Sequence, residues 1–172
     1  SDLDDEISGC ANEGAVSGNN DCVGGIIGKI YLTDAISDCT NEGVISGASD
    51  VGGIIGRAAS GGVTSGCINE GEVRGRDYVG GIVGEAYDMD AISDCTNEGV
   101  ISGASDVGGI IGYTSFNSNE VISDCINEGT VSGSKGVGGI IGEAYEGAVI
   151  SDCINEGEVS GKSEVGGVCG VE

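Results

Sequence analysis

Histidine, proline and tryptophan are absent from the 172 residues, phenylalanine occurs once, and only six side chains are basic. Each gap removes a class of function. Without histidine neither a Ser–His nor a Cys–His nucleophile pair can be built, and zinc loses its usual nitrogen ligand. The eight cysteines include no C-x-x-C pair, so a zinc–thiolate site lacks its usual spacing too. Six basic against 29 acidic residues give a net charge of −23, which repels nucleic acid phosphates and anionic membranes. No apolar run approaches the ~18 residues of a membrane span. No signal peptide or sorting tail is evident, so the chain reads as a mature protein or an excised fragment. No phosphate loop is present, because VGGIIG is not followed by the helix that one requires.

What remains is glycine, 36 of them, with valine, isoleucine and alanine. Glycine disfavours helices and β-branched residues favour strands. Regular Val and Ile positions argue against the disorder that such a charge otherwise signals.

Those positions repeat. The stretch DAISDCTNEGVISGASDVGGIIG occupies residues 34–56 and again 90–112. Aligned on Cys10, Cys39, Cys67, Cys95, Cys125 and Cys153, the chain divides into six units separated by 29, 28, 28, 30 and 28 residues. Each has Ser two before the Cys, Asn-Glu-Gly just after it, and later VGGIIG or a close variant. A fixed period of this length means a solenoid, propeller or array, and a propeller blade needs more residues. The expectation is an all-β fold, a parallel β-helix (β-solenoid) of six ~28-residue, three-sided coils. It forms one domain over residues 1–172, with units beginning near 7, 36, 64, 92, 122 and 150. Each unit has room for three strands, in I-S-D-C-T-N, x-V-S-G and V-G-G-I-I-G. Ile36, Cys39, Ile45, Val51 and Ile55 point inward with Gly53, and Ile54 points outward. The Gly or Asp before each Cys marks a bend, and Gly43 and its equivalents hold a left-handed corner.

Stacking turns repeated residues into ladders. Cys10, Cys39, Cys67, Cys95, Cys125 and Cys153 form a core column, either of free thiols or of inter-coil disulfides. Cys22 and Cys169 lie outside it, with Cys22 near enough in sequence to pair with Cys10. Asn12, Asn41, Asn69, Asn97, Asn127 and Asn155 form a structural amide ladder. Glu13, Glu42, Glu70, Glu98, Glu128 and Glu156 form a third. Neighbouring carboxylates ~4.8 Å apart repel by ~0.9 kcal/mol even in water. They are tolerated either as splayed, solvated side chains or by binding cations, for which calcium is the natural choice. No other cofactor is required. The variable segments carry most of the aromatics, Tyr31, Tyr87, Tyr113, Phe116 and Tyr145, which either cover a β face or contact a ligand.

The phrases I-S-D-C-x-N-E-G-x-V-S-G and V-G-G-I-I-G resemble, over residues 7–170, the GLUG-motif repeats of bacterial surface and secreted proteins. The resemblance implies an extracellular repeat region of adhesin-like chains, without a defined activity. The chain departs from it in placing Thr, Ile or Ala after the Cys. The leading expectation is a non-catalytic structural or adhesive module, a rigid spacer or display surface on a bacterial cell. Its partners are neighbouring repeats or identical subunits stacked end to end, into a fibre if the stack does not close. The alternative is a module binding a surface protein or a glycan through Tyr31, Tyr87, Tyr113 and Tyr145. Ice binding lacks its usual Thr array.

Overall fold

Repetition of one 28-residue phrase produces repetition of one coil. The computed structural model describes residues 6–31, 35–115, 120–145 and 147–172. Phe116 lies outside them. Among the described residues there is no helix, and hence none long and apolar enough to cross a membrane. Every strand pairs in parallel with its equivalents, in five sheets of six strands each. The second coil shows the unit: Ala35–Ser37, Thr40–Asn41, Ile45–Ser46, Ser49–Gly52 and Ile55–Ala59 supply the first to fifth sheets in turn. Like pairs with like, Ile7 with Ile36, Asn41 with Asn69 and Val51 with Val79.

The three expected runs therefore divide into five strands. I-S-D-C-T-N breaks at Asp38, whose φ of 53° is left-handed, as is that of Gly9, Gly66, Asp94, Asp124 and Asp152. V-G-G-I-I-G breaks at Gly53–Ile54. That second break corrects the expected outward position of Ile54. The turn ends the strict alternation, and Ile54 and Ile55 are both fully buried in one core. A column of Ile36, Cys39, Ile54, Ile55, Ala58 and their equivalents makes that core, and Ile45, Val51 and theirs make a second.

Gly43 is also corrected. Its backbone is not left-handed. It is glycine because a Cβ there would lie 1.9 Å from the Gly14 carbonyl oxygen and 2.6 Å from Asn12 Nδ2. The left-handed column that residue types conceal lies one residue before each VGG. It runs Cys22, Asp50, Tyr78, Asp106, Gly136 and Glu164, with φ between 51° and 63°. Of the residue types in this column only Gly and Asp adopt such angles readily, so the fold imposes the conformation on the other three.

Candidate functional site

The ladders come together as stacking requires. Asn12, Asn41, Asn69, Asn97 and Asn127 each donate from Nδ2 to Oδ1 of the next coil's asparagine at 2.7–2.8 Å. The same amides donate to the carbonyl of the glycine two residues on, as Asn41 does to Gly43 at 3.0 Å. Asn-Glu-Gly is thus one device: the Asn bridges coils, and the Gly accepts from it where no Cβ fits. The eight cysteines are free thiols. Cys39, Cys67, Cys95 and Cys125 are buried and donate to the carbonyl two residues earlier, Cys95 to Ser93 at 3.1 Å. Burial pushes the Cys39 thiol up to about 11, so it is inert at neutral pH. Cys22 bonds Asp50 Oδ2 at 3.4 Å and not Cys10. Glu13, Glu42, Glu70, Glu98, Glu128 and Glu156 are all exposed. Among the described residues no group of three or more Cys, Asp or Glu is placed to hold a metal ion.

Side chains that break the repeat gather where the fourth and fifth sheets meet. Sequence reasoning missed this strip. Its signal was that the residues flanking each VGGIIG vary while the phrase itself does not. The residue after the phrase forms an outer row on the fifth sheet: Lys29, Arg57, Glu85, Tyr113, Glu143 and Val171. It faces the left-handed column. Arg57 pairs with Glu85 at 3.2 Å and with Asp50 at 3.8 Å. The Tyr113 ring packs on Tyr78 with centroids 4.8 Å apart. Burial raises Asp106 to about 7, and the charge of Glu143 adds to the effect. Burial also raises Glu85, with Asp50 acting in the same direction and Arg57 against. Near neutral pH Asp106 is therefore only partly ionised, because burial and a neighbouring carboxylate both disfavour its charge. A second acid lies apart from it: Glu120 is buried, accepts from the Thr114 hydroxyl, and is raised to about 7 by burial.

Two residues further along the fifth sheet, on the same face, runs another row: Tyr31, Ala59, Tyr87 and Ser115. Tyr145 continues it, its N–H bonding Thr114 O at 3.1 Å. Tyr31, Tyr87 and Tyr145 are 64%, 39% and 50% exposed, whereas Ala59 and Ser115 are 4% and 6%. Three of the four expected contact tyrosines thus share one row. Tyr113 sits in the charged row, half-buried against Tyr78.

Residues 75–102 match the model of the GLUG motif. The match runs from the Ser/Arg-Gly corner of the third coil to that of the fourth, one full period, so the chain carries the motif that its phrases resemble. No curated protein matches the chain. Among solved structures, a putative immunoglobulin A1 protease from Bacteroides ovatus superposes with a TM-score of 0.71 at 21% identity. The match takes in 98% of this chain and 54% of that one, so the chain spans about half the length of the solved relative. At that identity the likeness is one of fold.

Proposed function

We propose that the chain is a non-catalytic repeat segment of a secreted or surface-exposed bacterial protein, a rigid spacer that extends by end-on stacking of further coils of the same kind. The observation that carries this reading is the asparagine ladder itself, in which five amides donate in one direction from coil to coil at 2.7–2.8 Å, a bond that can join any coil to another of its kind. The ladder has a direction, so an Asn155 amide can donate only to an Asn12-type oxygen, head to tail. Ile154 and Val165 of the last coil are about half exposed, while the equivalents of Val165 in the inner coils are buried. Unpaired strand edges at the same ends are templates for more strands. A sixfold repeat without histidine, its ladder acids alike and solvated, supports a non-catalytic role.

Sedimentation across a wide concentration range tests the stacking. The expected result is a head-to-tail series that Ile154→Lys abolishes without lowering helix-free circular dichroism. The same reading holds if the chain is monomeric and two added repeats at its C-terminal end raise the melting temperature. A monomer that gains nothing from added repeats would overturn it.

A further inference from the structure

We infer that the outer face of the fifth sheet binds an extended, uncharged, β-1,4-linked polysaccharide along the row Tyr31–Tyr87–Tyr145. The inference goes beyond the spacer reading and is independent of it, because the row lies on the side wall and not at the stacking ends. Its first support is spacing. The tyrosines occupy alternate coils, so with ~4.8 Å between strands they recur about every 9.6 Å. The residues between them, Ala59 and Ser115, are small and buried, so no taller side chain of the row stands between one ring and the next. In a β-1,4-linked chain each sugar is turned over relative to the last, and the same face recurs every second sugar. A platform with two-coil periodicity presents each ring to an equivalent sugar face.

The second support is chemistry. The axial C–H face of a hexose is apolar and packs on an aromatic ring, while the equatorial hydroxyls project sideways and need polar partners. The neighbouring row supplies them: Arg57 and Glu143, both partly exposed, stand two residues from Ala59 and Tyr145 on the same face. Lys29 lies 4.9 Å from the Tyr31 ring centroid and helps to hold that ring at the end of the row. The third support is charge. A protein of net charge −23 repels uronate, sulfated or sialylated polymers, whereas an uncharged glycan meets no such barrier.

The test is depletion from solution by insoluble microcrystalline cellulose and by crystalline chitin, with cross-linked dextran as the α-linked control and polygalacturonate as the anionic one. The whole chain should be retained on cellulose or chitin, whichever substituent the face admits, and not on the controls. Tyr87→Ala removes the central platform and should weaken retention by roughly tenfold or more, with the variant still folded by circular dichroism. Tyr87→Phe should keep it. Moving the ring one coil, in Tyr87→Ala with Ser115→Tyr, should not restore it, because the two-coil spacing is lost. Equal retention on dextran, indifference to Tyr87→Ala, or rescue by the moved tyrosine would each overturn the inference while leaving the stacking result untouched.

Discussion

Residues 34–56 and 90–112 are identical in sequence, yet their aspartates live differently. Asp50 and Asp106 occupy the same left-handed position, with φ of 51° and 52°. Asp50 accepts from Ser49 at 2.6 Å and faces the Arg57 guanidinium. Asp106 faces Glu143, which raises it on top of the larger effect of burial, and Ser105 turns instead to Asp77 at 3.0 Å. Identical local sequence produced the same left-handed backbone in different electrostatic surroundings: both aspartates neighbour a glutamate, but only Asp50 also faces an arginine. The backbone answers to the repeat; the chemistry answers to the residue after VGGIIG in the same coil and the next one, Arg57 and Glu85 in one case, Tyr113 and Glu143 in the other.

The largest effects should ignore the difference between the copies. Gly43→Ala and Gly99→Ala each place a Cβ within 2.0 Å of a carbonyl oxygen in the preceding coil, and each should cost about 3 kcal/mol. Thermal unfolding of the two variants should agree closely; a large disparity would mean that the copies are not mechanically equivalent.

Smaller effects should expose the difference. At pH 8, Asp106→Asn should stabilise by about 1 kcal/mol, roughly 2–4 °C in melting temperature for a chain of this size, because it removes a half-buried charge beside Glu143. Asp50→Asn should destabilise by about the same amount, since it strips Arg57 of one partner. Asparagine tolerates the left-handed angle, so the backbone is not at issue. Shifts of the same sign would break the comparison.

The pH dependence follows. The folded Asp106 value lies near 7 against about 3.9 unfolded, so folding favours the protonated form. Its stabilising contribution is complete below the unfolded value and is lost as pH rises through about 7. Glu120, also near 7, acts in the same direction. The melting temperature should therefore be several degrees higher at pH 5 than at pH 8, and Asp106→Asn should flatten part of that slope. A maximum near pH 8 would contradict it.

The smallest effect concerns the Glu ladder, which is the same in both copies and solvated throughout. Millimolar calcium and NaCl of equal ionic strength should raise the melting temperature equally, by screening alone. A calcium excess would make the ladder a cation site.

The rows Ile36, Cys39, Asn41, Ile45 and Val51 were legible as core and ladder because each residue is stacked on its own copies, and a period is visible without coordinates. Ile54 was not, because strict alternation fails where Gly53 packs against the Asn69 side chain and turns the chain. Asp38 could be read as a bend from its residue type. The bend shared by Cys22, Asp50, Tyr78 and Glu164 could not, since those types have no common local preference. Tyr31, Tyr87 and Tyr145 were legible as aromatics in variable segments, each eight residues after the Val of its VGG; that they share one outer row is decided by the pairing of the fifth sheet.

What the sequence determined by itself is the coil: its period, its parallel strands, and the Asn, Cys and aliphatic columns, since a repeat that buries one face must stack to do so. What only the tertiary structure decided is which non-repeating side chains meet. Arg57 with Asp50, Tyr78 with Tyr113 and Asp106 with Glu143 are 7 to 37 residues apart in the chain. Their contacts depend on two sheets approaching closely through the VGG and IIG glycines, where a Cβ on Gly52 would lie 2.8 Å from Gly84 N. That closeness is a property of the packed coil, and no single unit of the sequence contains it.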